Sequence, residues 1–215
     1  MVEYANEQLL NLRLCLETFI NGFPLFASSF APVVLPQNSP KVAVEMSNAA
    51  TLAGTGPMAA VAGAFSEHIG RALQQEFSIN EIVVENGGDI YLCLKSNIML
   101  SIYAGDSTLS GRIGLTIPAE FTPAGICTSA GKVGPSVSFG MADAVMVACR
   151  DTALADAYAT AFGNMVKTPF DISKAIEQAK ECSEIHSIVI ICEDKMGIYG
   201  KLELFPVKGF EGDVL

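Results

Sequence analysis

The chain has 215 residues, 50% hydrophobic and 17% charged, and its 13 Lys and Arg against 23 Asp and Glu give a formal net charge of −10. This composition excludes a disordered chain, which lacks the apolar surface to fold. It also argues against a binder of nucleic-acid phosphates or anionic membranes, because cations that could displace counterions are scarce.

The N-terminus does not read as a secretory signal: Glu3, Glu7 and Glu17 surround a lone Arg13. Apolar stretches such as Phe19 to Leu35 are broken by Asn21, Gly22, Pro24 and Pro32, so no membrane span is expected. The chain reads as cytoplasmic. Its six cysteines are scattered without a C-x-x-C pair. Cys15, Cys93, Cys149 and Cys192 lie in apolar runs and are expected as core thiols. With only His68 and His186 available, a structural zinc site is not expected.

Leucines at helical spacing predict a helix over 6–20, stopped by Gly22. Phe23 to Pro36 reads as extended. Ser39 is an expected N-cap for a helix running to about Leu52, and Pro57 opens another to about Phe77. The first half of that helix, MAAVAGAF, is nearly all small residues, which suits close approach of a neighbouring backbone or a ligand. Strands follow at 81–85 and 89–94 across an Asn86-Gly87-Gly88 turn, then at 98–103, 113–117, 125–128 and 144–149. Gly131 to Gly140 is a glycine- and serine-rich loop. Helices are expected over 152–165 and 171–182, the second with Asp171 as N-cap. A strand at 187–192 and a closing hairpin over 197–205 complete one α+β domain across 1–215, a mixed or antiparallel sheet packed by helices.

Three segments could carry chemistry. In Asn86-Gly87-Gly88-Asp89 the glycines free backbone amides for a ligand and Asp89 could accept hydrogen bonds or hold a metal; a plain hairpin turn is the bland alternative. Thr128-Ser129-Ala130-Gly131 places hydroxyls and open amides at a strand end, which suits phosphate or a polar ring, or else forms a solvated loop. In Asp156-Ala157-Tyr158-Ala159-Thr160 the spacing i, i+4 projects a carboxylate and a hydroxyl from one helix face. That pair suits a hard cation such as Mg²⁺, or the two are local hydrogen-bonding groups. Glu67 and His68 lack the HExxH spacing, and His68 reads as a satisfied structural residue. A nucleophile at Cys127, Ser129 or Ser138 is a weaker idea, since no partner base is adjacent.

The order GPMAAVAGAFSEHIG (56–70), ENGGDIYL (85–92), GICTSAG (125–131) and ADAVMVACRDTALADAYATAFGN (142–164) resembles the ApbE-like superfamily. More closely it resembles the ApbE-related family (UPF type) of bacterial and archaeal cytoplasmic proteins, most strongly over 41–164. The resemblance implies a single ApbE-like α+β domain. ApbE proteins are Mg²⁺-dependent flavin transferases that split FAD and attach its FMN part to a Thr or Ser of a target. By that resemblance Asp156 and Thr160 would hold the metal, while Asn86, Gly87, Gly88, Asp89, Thr128 and Ser129 would line the flavin nucleotide. The implied cofactors are Mg²⁺ and FAD, and the implied partner is a small-molecule nucleotide or flavin. A homo-oligomer stays open.

This sequence also departs from the transferases. They carry a His-x-x-Asp-Pro segment after the T-S-G strand, whereas Gly131 to Gly140 contains no histidine. The lysine of their A-K-G segment is replaced near Ala62-Gly63. Two expectations therefore stand side by side. One is a flavin transferase or FAD pyrophosphate-cleaving enzyme. The other is a non-catalytic ligand-binding or assembly protein that kept the fold and lost the chemistry.

Overall fold

The computed structural model describes residues 1–131 and 140–207. The chain opens with helix α1 (Val2–Gly22), a single turn α2 (Leu25–Ser28) and α3 (Lys41–Ala53). A 3₁₀ turn, Pro57–Ala60, leads into α4 (Val61–Phe77). Strands β1 (Ile82–Asn86), β2 (Asp89–Cys93), β3 (Ile98–Ser101), β4 (Ile113–Ile117), β5 (Ala124–Ser129) and β6 (Ala144–Cys149) follow. Then come α5 (Thr152–Met165), α6 (Ile172–Lys180), β7 (Ser187–Cys192), β8 (Lys195–Gly200) and β9 (Glu203–Pro206).

The strands form two antiparallel sheets, one of six strands in the order β1-β2-β5-β6-β7-β8 and one of three in the order β3-β4-β9. The six-stranded sheet is the middle layer. Successive strand residues point to opposite faces, and both of its faces are covered. On β6, Val145, Val147 and Cys149 join the core formed with the helices. Ala144, Met146 and Ala148 join a second core with Leu115 and Ile117 of the small sheet. The continuous apolar run AVMVAC is the sequence trace of this double burial. The architecture is α+β, as expected.

Helix α5 lies closely against the middle sheet because small residues permit it. A Cβ on Gly125 of β5 would come within 2.4 Å of the Thr152 Cα. Asp151 caps α5 by accepting a hydrogen bond from the Leu154 amide at 2.8 Å, and Glu67 of α4 accepts one from the Thr152 amide at 2.9 Å.

Several expectations are corrected. The closing segment is not a hairpin: β8 pairs with β7 in the large sheet, whereas β9 pairs with β4 in the small one. The stretch expected as extended holds α2, whose Phe26 is fully buried. The helix opened by Pro57 begins as a 3₁₀ turn. Ser39 does not cap α3; its hydroxyl donates to the Pro36 carbonyl. Asp171 caps nothing on α6 with its side chain, which instead accepts from the Thr168 and Lys167 amides. Cys15 is exposed on α1 rather than part of the core. Among the described residues no helix is long and apolar enough to cross a membrane.

Candidate functional site

Asp156 is the fourth residue after Thr152 on α5, flanked on the helix by buried Ala153, Ala155, Ala157 and Ala159. It is buried, and its Oδ2 accepts a hydrogen bond from the Gly63 amide at 2.9 Å. Gly63 lies in the first turn of α4, which has no side-chain cap of its own. Asp156 supplies an acceptor at that helix end, where exposed amides and the dipole favour negative charge. The approach needs glycine: a Cβ at position 63 would lie 2.4 Å from the Thr152 carbonyl oxygen and 2.8 Å from the Asp156 Cβ. The small-residue stretch of α4 is thus a contact with α5 beside the site. Gly63→Ala is expected to lower stability by about 1–3 kcal/mol through overpacking, as measured by urea unfolding.

Asp89 reaches the same place from the sheet. Residues 86–89 form a two-residue hairpin turn, with Asn86 paired to Asp89 and positive φ at Gly87 (65°) and Gly88 (101°). This left-handed pair of positions favours glycine. The Gly88 carbonyl accepts from the Thr128 amide at 3.1 Å, fixing the turn to β5. Asp89 is buried and its Oδ1 has no hydrogen-bond partner.

Burial pushes the Asp89 carboxyl up to about 7, partly offset by the Cys127 thiol and the Thr128 amide. Burial, and then the charge of Asp89, hold the Asp156 carboxyl well above the ordinary carboxylate range; the Gly63 and Ala62 amides oppose this. Two buried acids that resist ionising beside one another form a site that a cation would stabilise.

Two cavities meet at this pair. One of about 460 Å³ lies against the small sheet, with Leu100, Tyr103 and Leu115 among its walls. Gly87, Gly88, Asp89, Thr128, Ser129, Asp156 and Thr160 also line it. The other, of about 780 Å³, lies beneath α3 and the 3₁₀ turn and shares Asp89, Asp156 and Thr160 with the first. Thr55 lines this second cavity, and its buried Oγ1 has no hydrogen-bond partner. The structure therefore brings seven of the eight sequence-derived residues to one cavity wall. Asn86 is turned away: its Nδ2 donates to the Ala62 carbonyl at 3.2 Å and ties the turn to α4.

The donor set fits a hard cation. Two carboxylates and a hydroxyl offer oxygen ligands, and Mg²⁺ is satisfied by one or two carboxylates with water or phosphate oxygens. Among the described residues no group of three or more His, Cys, Asp or Glu side chains is arranged to hold a metal ion. A metal here would therefore depend on oxygens beyond the carboxylates.

Other candidates do not join this site. His68 is paired with Glu45 of α3, and Glu67 is engaged with Thr152 and Arg71. Cys127 is buried, its thiol donates to the Thr152 carbonyl at 3.4 Å, and burial pushes that thiol well up, opposite to what a nucleophile needs. Ser138, with most of the glycine-rich loop, lies outside the described residues. Sequence reasoning missed Tyr103 and Thr55, both in segments without a chemical motif.

Comparisons with known proteins show the family and the fold. The profile of the family described as AbpE bacteria matches residues 1–197. A UPF0280 protein of Methanocaldococcus jannaschii is 39% identical over 203 residues, covering 92% of this chain and 82% of its own length. A UPF0280 protein of Methanocella arvoryzae is 42% identical over 187 residues, covering 87% and 76%. Among solved structures, the ApbE protein of Thermotoga maritima superposes with a TM-score of 0.51 at 15% identity, covering 89% of this chain and 75% of that one. That last likeness is one of fold alone. The chain belongs to the family described as AbpE bacteria, an ApbE-like family with archaeal relatives named UPF0280 proteins.

Proposed function

We propose that the protein binds a flavin nucleotide, FAD in the first instance, together with Mg²⁺ at the Asp89–Asp156 pair. The observation that carries this reading is the buried, poorly ionising carboxylate pair with the unpartnered Asp89 Oδ1, set between two cavities. Asp156 and Thr160 would hold the metal. Gly87, Gly88, Asp89, Thr128 and Ser129 would line the nucleotide, with backbone amides of the glycine turn available to phosphate oxygens. Mg²⁺ would supply the counter-charge for a pyrophosphate and polarise it towards attack. The Gly63 amide keeps Asp156 aimed and its charge tolerable, and the closely packed α4 excludes water from its other side.

A transferase or pyrophosphate-cleaving reaction follows if a proton-handling group is present. One observation favours the non-catalytic alternative: the segment from Gly131 to Gly140 has no histidine where the transferases carry one. Loss of a general acid or base commonly lowers a rate by about 10²–10⁴-fold.

Thermal denaturation with FAD, FMN, ADP and AMP, each with Mg²⁺ or with EDTA, tests the binding. FAD at a hundred times its dissociation constant should add about 2.7 kcal/mol of apparent stability, and only with Mg²⁺. No shift with any nucleotide would end the flavin reading, and an equal shift in EDTA would end its metal part. Release of FMN and AMP from bound FAD would favour the enzyme over the binding protein.

A further inference from the structure

A third cavity, of about 640 Å³, opens at the opposite end of β6. Val145 of β6 pairs with Ser129 near the carboxylates, whereas Cys149 pairs with Gly125; the two ends are ~14 Å apart along the strand. Arg150, Lys180, Lys201 and His186 line this cavity. In a chain with 13 Lys and Arg and a net charge of −10, such a gathering of cations runs against the composition. Neither of the two cavities at the carboxylate pair has a Lys, Arg or His in its described lining.

The cluster is held in place. The His186 ring stacks on Phe121, with centroids 3.9 Å apart and planes inclined by 21°. The Arg150 guanidinium sits 5.1 Å from the centroid of the same Phe121 ring, and its Nη2 donates to the Glu120 carbonyl at 3.3 Å. The backbone of Lys201 is fixed by amide hydrogen bonds to the His186 carbonyl at 3.2 Å and to Ser187 Oγ at 2.9 Å. Asp151 and Glu184 also line this cavity, accepting from the Leu154 amide and the Tyr158 hydroxyl, so three Lys and Arg side chains face two carboxylates. Lys180 pairs with Glu177. Among the described residues, Arg150 and Lys201 make no ion pair. Burial, then Lys201 and then Arg150, depress the His186 pKa.

We propose that this cavity binds a phosphate-bearing small molecule, its phosphoryl group held by Arg150 and Lys201 beside the Phe121–His186 stack. Arginine presents a planar fork to phosphate oxygens and lysine a mobile point charge. Tyr199, on the same wall and partly exposed, offers a face on which a nucleobase can stack. The phosphoryl group has two sources that the test separates, free inorganic phosphate and a mononucleotide.

The test uses the full chain in EDTA, so that the carboxylate site is without metal. Inorganic phosphate and, separately, AMP are titrated by calorimetry while the two histidine side chains are followed by proton NMR. Phosphate is expected to move the His186 resonances and to leave those of His68 in place. Lys201→Gln, which removes an exposed amine and no side-chain hydrogen bond, is expected to weaken phosphate about tenfold. Arg150→Gln should do the same, and Asp156→Asn should change nothing. Tighter binding of AMP than of phosphate would identify the nucleotide as the source, and equal binding the free anion. No binding of either probe by folded protein would overturn the proposal. So would binding unchanged by Lys201→Gln, or binding lost in Asp156→Asn. The last result would return the anion to the carboxylate site and leave the flavin proposal standing.

Discussion

Asp156→Asn is expected to raise the stability of the ligand-free protein and, in the same preparation, to weaken the proposed Mg²⁺-dependent binding of FAD. The two effects have opposite signs because they come from the same charge. Without metal, Asp156 is a buried carboxyl whose ionisation is opposed by burial and then by the charge of Asp89. Asparagine keeps an oxygen that can accept from the Gly63 amide, so the end of α4 stays capped while the repulsion disappears. For a chain of this size each kcal/mol gained raises the melting temperature by about 2–4 °C. With metal, the neutral amide removes a formal charge from an oxygen-donor site. Affinity should then fall by about a hundredfold, equivalent to ~2.7 kcal/mol. Thermal denaturation with and without Mg²⁺ and FAD reads both effects. A variant that loses stability in EDTA would mean that Asp156 is a structural cap and not a charge awaiting a cation.

The second large effect lies in pH. Asp89 holds its proton up to about pH 7 in the folded protein, against an ordinary 3.8. The folded state therefore binds more protons than the unfolded state between those values, so stability falls as pH rises through that window. The penalty is absent below about pH 4 and complete above about pH 7. A displacement of this size corresponds to at most ~4 kcal/mol, reduced wherever the pair shares a proton. Asp89→Asn should abolish most of the difference, being more stable than the parent at pH 7 and nearly equal to it at pH 4. Urea unfolding of both proteins across this range measures it. The same protons compete with a cation, so Mg²⁺ affinity should strengthen as pH rises towards about 7.

How much of this was legible in the sequence follows from the range of the interactions. The strands and most helices are local patterns: leucine spacing in α1, the apolar run of β6, and the Asn-Gly-Gly-Asp turn whose two glycines both have positive φ. The partition of strands between two sheets was not legible. The Gly197–Phe205 segment has the form of a hairpin, but β9 leaves for β4 because Leu204 packs against the second core. At the site, Asp89 and Asp156 could be singled out separately. Their electrostatic coupling depends on β2 pairing with β5 and on α5 packing across both, which no local pattern states. The resemblance in motif order linked these segments where spacing alone did not. The cation cluster of Arg150, Lys180, His186 and Lys201 gathers from three connections, after β6, from the end of α6 to β7, and after β8, and has no linear signature.

The pairing of β4 with β9 also sets an order of events during synthesis. Residues 113–117 cannot acquire their second neighbour until residues 203–206 have been made. Leu115 belongs to that waiting strand and walls the cavity beside the carboxylates. A nascent chain can assemble the helices and the first strands of the large sheet while β4 still presents an open edge, which invites pairing with other chains. A chain truncated before position 203 would therefore leave one edge of β4 unpaired and one wall of the cavity beside the carboxylates unfinished.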